Sequence, residues 1–308
     1  MRKENEMTIQ TARTSEAGFV QVDFTRCTQC GQCAEVCSAG PLRMEKEGLS
    51  VLPSRGFGCI ACGHCMMVCP VDCIQVSGRE FSPTDVVVDE YSQKRTEYNS
   101  LLHLMRKRRS IRKYTQEAVP NDALEQIITA VTTAPMGIPP SDVELVVFST
   151  REKVAEFGEE ILTLMGKSKW MFSPLMAKVL RIFWGKEFME SVNTFIRPAL
   201  NMLLKDGQEG KDSLFYHAPV AILFVASPYS DPVDASIAAT YGMLAAEALG
   251  LGTCFIGTAG YFVKYSGKLK KKYGLDKRCQ PGPVLLLGLP AVTYEKTVKR
   301  SLRRVTYW

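Results

Sequence analysis

CTQCGQCAEVC at residues 27–37 and CIACGHCMMVC at residues 59–69 are one eleven-residue pattern written twice. The first supplies Cys27, Cys30, Cys33 and Cys37; the second supplies Cys59, Cys62, Cys65 and Cys69, followed by Pro70. Three thiolates two residues apart wrap one corner of an iron–sulfur cubane, so each run needs one more distant ligand. Zinc is the competing reading. A tetrahedral zinc asks for two Cys-x2-Cys pairs, and the third cysteine of each run would stand idle. The spacing therefore points to two 4Fe-4S clusters. Nine of the eleven cysteines lie between Cys27 and Cys73, a concentration that fits metal binding in a reducing compartment rather than a disulfide scaffold.

Over residues 23–80 the chain resembles a two-cluster bacterial ferredoxin. The resemblance implies crossed ligation, the fourth cysteine of each run serving the other cluster. Cluster one would take Cys27, Cys30, Cys33 and Cys69, and cluster two Cys59, Cys62, Cys65 and Cys37. Gly31 and Gly63 are expected to let the loop backbone approach the inorganic sulfides. Cys73, in Cys-Pro-Val-Asp-Cys, reads as a small buried side chain. Clusters of this kind carry single electrons.

Outward from this core, the 308 residues suit two domains, and 46% hydrophobic with 23% charged excludes a disordered chain. The expected division is a flexible tail over 1–22, a ferredoxin-like domain over 23–80, a linker over 81–100 and a second domain over 101–308. The first residues lack the apolar core of a secretory signal. The least charged stretch, 235–263, is broken by glycines and reads as a buried helix and a loop, so no membrane span and a cytoplasmic location are expected. Charge is uneven: residues 23–80 carry five basic and six acidic side chains, whereas 101–308 carry 28 and 19. A basic body reads either as a solvated surface or as one that holds a phosphate or faces an acidic partner. Two oxidised cubanes of about −2 each would take the front domain to about −5, which favours docking of the two domains.

Within the second domain, Leu124, Ile127, Ile128 and Val131 predict a helix over 123–133. Apolar runs at 143–148, 220–226 and 284–287 read as strands buried on both faces. A helix is expected over 235–249, capped by Asp234, stopped by Gly250, and packing through Ile237, Tyr241, Leu244, Ala245 and Ala248. Residues 152–205 read as helical, with Trp170, Met171, Phe172, Ile182, Phe183, Trp184 and Phe188 among basic residues. The strip Arg106–Tyr114 has six basic residues in nine. Nucleic-acid binding would want further basic stripes with aromatic platforms, and none is expected.

Arg108-Arg109-Ser110-Ile111-Arg112-Lys113-Tyr114 resembles the opening signature of the FMN-dependent nitroreductase family. Ala134-Pro135-Met136-Gly137 is similar to its Pro-Ser turn, Tyr241–Gly257 to its core helix and following turn, and Leu287–Pro290 with Lys299-Arg300 to its closing segment. The resemblance implies an α+β domain with a central sheet and long core helices. It implies that Arg108, Ser110, Arg112, Lys299 and Arg300 hold the FMN phosphate and ribityl chain. Pro135, Met136, Gly137, Ile256, Gly257 and Thr258 would contact the isoalloxazine. In the family FMN sits at a dimer interface, so a homodimer is expected. Pro139-Pro140-Ser141-Asp142-Val143 stands where the family has Asn-x-Gln-Pro-Trp. Cys254 and the three histidines, His64, His103 and His217, read as structural, and no catalytic side chain stands out.

Together the two halves suggest an oxidoreductase in which clusters and FMN exchange electrons and a nitroaromatic, quinone or activated alkene is reduced. The donor would be ferredoxin-type or NAD(P)H. One alternative is an NAD(P)H-oxidising flavoprotein passing electrons outward through the clusters. The other is an electron-transfer or redox-sensing subunit without its own substrate.

Overall fold

A computed structural model describes residues 12–53, 56, 58–87 and 95–308; the side chains of 174 and 177–184 are outside the description, and Ile182, Phe183 and Trp184 with them. The chain forms two compact units, each built around its own core. One runs to Arg95 and adds Pro135–Val143 and Ser227–Asp234; the other comprises Thr96–Ala134, Glu144–Ala226 and Ala235–Trp308.

The first unit is assembled from short pieces: β1 (Phe19–Val22), α1 (Gln32–Glu35), β2 (Leu42–Glu45), β3 (Gly48–Val51), α2 (His64–Met67) and β4 (Ile74–Ser77). β1 pairs antiparallel with β4 from Phe19↔Ser77 to Val22↔Ile74, and β2 pairs with β3. The expected tail over 1–22 therefore ends early. Residues 19–22 alternate Phe, Val, Gln and Val, enough to complete a ribbon whose buried face is Ile74 and Val76. Leu42, Leu49, Ala61, Ile74 and Val76 form the apolar core around Cys33, Cys65 and Cys73.

Two stretches from far along the chain complete this unit. Arg13 donates from Nε to the Ser141 carbonyl at 3.1 Å, Arg79 donates to the Pro139 carbonyl, and the Ser227 N–H donates to the Asp142 carbonyl at 2.8 Å. The sequence carries no local signal for this, because the partners are main-chain carbonyls.

The second unit contains α3 (Tyr98–Lys107), α4 (Asn121–Thr132), β5 (Val143–Phe148), α5 (Arg151–Ser168), α6 (Pro174–Ser191), α7 (Arg197–Gln208), β6 (Val220–Ala226), α8 (Pro232–Ala248), β7 (Gly252–Ile256), α9 (Gly257–Tyr265), α10 (Gly267–Lys272) and β8 (Gln280–Gly288), with β5 and α8 beginning in the segments just described. Its sheet has the order β5-β6-β8-β7, with β8 antiparallel to both neighbours. β6 is buried along its whole length, as its unbroken apolar run demands, whereas the edge strand β5 is only partly covered. On α5, Phe157, Ile161 and Met165 recur every fourth residue and are fully buried, with Phe157 stacked on Phe148 at 4.3 Å. Among the described residues no helix is long and apolar enough to cross a membrane.

Two sequence expectations shift here. The loop expected after α8 is a strand and a helix, β7 and α9. The buried face of α8 is Ala235, Ala238, Ala239, Gly242, Met243 and Ala246, while Tyr241 is exposed. Small residues win this face because Gly242 meets Val131 and Ile127 of α4 directly, leaving no room for larger ones. The cap is Asp231, whose Oδ1 accepts from the Val233 N–H at 2.9 Å, not Asp234.

Candidate functional site: two cysteine cavities and a guanidinium cradle

In the first unit the repeat folds as two near-copies. Gly31 and Gly63 take left-handed backbone, φ 79° and 73°, and start the one-turn helices that present Cys33 and Cys65. A side chain at 63 would also strike the Phe81 ring at 2.7 Å, and one at 31 would meet Met44 at 3.2 Å. The two glycines are thus required by backbone conformation and by protein neighbours. Cys27, Cys30, Cys33 and Cys69 line one cavity, joined by Cys73. Cys37, Cys59, Cys62 and Cys65 line the other. The chain brings together the two sets of four expected from the crossed pattern.

Of the eight thiols Cys33 and Cys65 are buried, Cys30 is exposed and the other five are partly covered. Burial pushes Cys33 and Cys59 up from the ordinary thiol range and Cys65 up to about 12, whereas the Cys69 thiol, despite partial burial, is lowered by the hydrogen bonds it accepts. A thiol held up by burial gives up its proton when a strongly attracting cation binds the sulfur, and iron meets that need. Backbone N–H groups already face sulfur: Gln29 donates to Cys27 Sγ at 3.5 Å and Ala61 to Cys59 Sγ at 3.4 Å. Among the described residues no three ligand side chains converge on a single ion. A cubane asks for something else, one thiolate at each of four corners. Cys73 is buried, as expected, with its Sγ 3.5 Å from that of Cys69.

In the second unit the basic strip runs out of α3 as an extended segment beside β7. The Ile111 N–H donates to the Thr253 carbonyl at 2.8 Å, and Ser110 forms a parallel bridge with Thr253. Gly252 permits this contact, since a Cβ there would lie 2.6 Å from Ile111. Farther along, the Thr115 N–H donates to the Leu289 carbonyl and the Ala291 N–H to the Lys113 carbonyl, both at 2.9 Å. Tyr114 locks the turn by donating from its hydroxyl to the Ile111 carbonyl at 2.8 Å.

This arrangement gathers positive charge. The Arg108 guanidinium is held below its ordinary range by burial first and by Arg300 next, with Glu247 opposing. Cys254 lies beside Arg112, Arg108 and Ser110; burial raises its thiol while both arginines pull it down. Arg112 also sits over the Tyr216 ring at 5.8 Å. Among the described residues, Arg109 Nη2 and Thr253 Oγ1 are buried without a hydrogen-bond partner. Half-buried cations crowded together with idle donors fit a dianionic phosphate.

Of the other expected contacts, Ile256, Gly257 and Thr258 form the junction of β7 and α9, with open space above Gly257. Lys299 and Arg300 lie in an exposed irregular segment, and of the two Arg300 reaches Arg108. Pro135, Met136 and Gly137 belong to the first unit, Gly137 with free space around it. Sequence reasoning did not single out Arg109, Glu247 or Thr253. Glu247 was legible only as the sole carboxylate in an apolar helix.

Comparison with known proteins places both halves. The Nitroreductase family matches residues 105–289, and a 4Fe-4S dicluster domain matches residues 19–70. An FMN reductase [NAD(P)H] of Bacillus subtilis (strain 168) is 30% identical over 164 residues, which is 52% of this chain; the chain spans about half, 54%, of that protein. A nitroreductase with bound FMN from Desulfitobacterium hafniense DCB-2 has the same fold at 22% identity, with a TM-score of 0.50, covering 69% of this chain and 100% of that one. A nitroreductase with bound FMN from Bacteroides fragilis NCTC 9343 aligns at 21% identity with a TM-score of 0.49, over 69% of this chain and 100% of that one. The chain therefore belongs to the nitroreductase family and carries a 4Fe-4S dicluster domain ahead of the nitroreductase fold.

Proposed function

We propose that this protein is an iron–sulfur flavoprotein oxidoreductase in which electrons pass between two 4Fe-4S clusters and FMN to reduce a small organic acceptor. The observation that carries this reading is the coexistence, in one chain, of two four-cysteine cavities and a cradle of crowded guanidinium groups. Cys27, Cys30, Cys33 and Cys69 hold cluster one; Cys59, Cys62, Cys65 and Cys37 hold cluster two. Arg108, Arg112 and Arg300 neutralise the FMN phosphate, with Ser110 donating to it and Lys299 adding charge. Pro135, Met136, Gly137 and the Ile256-Gly257-Thr258 junction bound the ring. When bound, FMN supplies the conversion between single electrons and hydride transfer. Cys33 and Cys65 sit on the buried side of their cavities, and the Ile111 hydrogen bond to Thr253 keeps the strip on β7.

In this reading the protein works as a cytoplasmic homodimer, and nitroaromatics, quinones or activated alkenes are the acceptor class. No general acid stands out in the sequence, and in this reading solvent supplies the proton. A ferredoxin-type protein or NAD(P)H is the donor, and the name of the Bacillus subtilis relative favours the nicotinamide. That same observation supports a second reading, in which NAD(P)H reduces FMN and the clusters carry electrons outward.

Anaerobically purified protein tests both. It should contain about eight irons and eight sulfides per chain, as two cubanes require, and one FMN. Mixing it with NADH, NADPH or reduced ferredoxin identifies the donor by which one bleaches the visible spectrum. Steady turnover with a nitroaromatic distinguishes an enzyme from an electron-transfer subunit. Stoichiometric zinc without sulfide would sink the cluster reading.

A further inference from the structure

The two cysteine loops match closely in backbone, so what differs around them sets the clusters apart. Gln29 and Ala61 both take left-handed backbone, φ 57° and 53°, and each donates its N–H to the cysteine sulfur two residues earlier. On the first loop, the arginine next to Cys27 in the chain is Arg26, which is exposed and donates to the Val71 and Asp72 carbonyls at 2.6 and 3.2 Å. On the second, Arg79 lies within electrostatic reach of Cys59 and is only 3% exposed.

Arg79 is tied down on every side. Its Nε and Nη2 donate to the Pro139 carbonyl at 3.1 and 2.6 Å, and its Nη1 donates to the Glu16 carbonyl at 3.2 Å. Its own N–H donates to Glu16 Oε2 at 2.8 Å. Glu16 and Asp142, and Cys59 once it is a thiolate ligand, offset the cost of burying the guanidinium. The Gly18 N–H donates to the Cys59 carbonyl at 3.0 Å, so the Glu16 segment is fastened to the second cysteine loop itself.

Reduction adds one negative charge to a cluster. A cation held in a low-dielectric interior stabilises the reduced form more than the oxidised one, and water screens an exposed cation such as Arg26 far more. We propose that Arg79 is a positioning residue for electron transfer: its buried guanidinium raises the reduction potential of the cluster held by Cys59 above that of the other. Through Pro139 the same side chain ties that cluster's loop to the segment beginning Pro135-Met136-Gly137. One electron then moves from reduced cluster one to oxidised cluster two, with no bond made or broken and no proton transferred. Electrons collect at the cluster whose loop is fastened to the expected flavin turn. The inference rests on the ligand assignment under the proposed function.

The test is an anaerobic potentiometric titration of the full-length holoprotein, followed by electron paramagnetic resonance. In Arg79→Gln the higher of the two cluster potentials should fall by about a tenfold change in its reduction equilibrium, 59 mV for a one-electron couple, while the lower stays put. Arg79→Lys keeps the charge without the fork and should stay near the wild type. Glu16→Gln removes an opposing charge while keeping an acceptor, and should move the higher potential upward by a smaller amount; it decides the matter if Arg79→Gln does not fold. An unmoved higher potential in Arg79→Gln with full iron and sulfide, an equal shift of both clusters, or a lysine variant as altered as the glutamine variant would each overturn the role of Arg79. Wild-type protein without two clusters would instead overturn the ligand assignment, and this inference with it.

Discussion

Arg108 carries its charge half-buried, pressed by Arg300 and Arg109 and opposed by Glu247. An anion bound in its midst would relieve this crowding. Arg108→Ala should therefore weaken FMN binding about ten- to hundredfold, since a hydrogen bond to a charged group is worth about 1.5–3 kcal/mol. Flavin fluorescence titration reads the dissociation constant, and affinity unchanged within threefold would remove Arg108 from the site. Cys65 gives a second prediction, for protein stripped of iron. Burial holds its thiol up to about 12 in the folded chain, against roughly 8.5 unfolded. The folded state then prefers the proton, so the stability it contributes is present below about pH 8.5 and is lost as pH climbs toward 12. Chemical unfolding of metal-free, reduced protein at pH 7 and pH 10 should show lower stability at pH 10; equal stability would contradict the burial. The cysteines were legible at this scale because cluster chemistry imposes fixed spacing on one stretch of chain. Thr253 and Glu247 were not, since tertiary packing alone brings β7 and α8 to the basic strip.

Among the described glycines, Gly260 of α9 makes the tightest approach, to β8. A methyl group on Gly260 would fall 1.8 Å from the Gly282 carbonyl oxygen, a backbone atom that cannot swing aside. Gly260→Ala should destabilise the fold by about 3 kcal/mol or more, at the upper end of overpacking costs, and thermal unfolding with a clearly lower midpoint checks it. Gly257→Ala, with nothing near its Cβ, should leave the midpoint within a few degrees. This contact also explains which elements could be read in advance. β6 and α5 were legible because burial on both faces, or on one stripe, writes itself into a long apolar pattern. β7 and α9 were not, because the glycines at 252 and 260 are there for close packing and look like loop residues in isolation. The four-residue strands and helices of the first unit are too short to show any period, and the cysteines alone announce them.

At the scale of the whole molecule, the sequence marked two domains but not the true membership of the first. Pro135–Val143 and Ser227–Asp234 join it through carbonyls that Arg13, Arg79 and Ser227 address, and a carbonyl leaves no trace in a sequence. That membership gives the fusion its meaning: the segment beginning with the expected flavin turn is built into the unit that holds the cysteines. The central claim is that electrons pass between the clusters and FMN within this protein, and Cys62→Ser tests it by disabling cluster two while leaving the guanidinium cradle untouched. The measurement is the rate of FMN reduction when anaerobic holoprotein is mixed rapidly with reduced ferredoxin, wild type against Cys62→Ser, with FMN content matched. Flavin reduction should slow at least tenfold in the variant. Flavin reduced as fast without cluster two as with it would rule out this electron path.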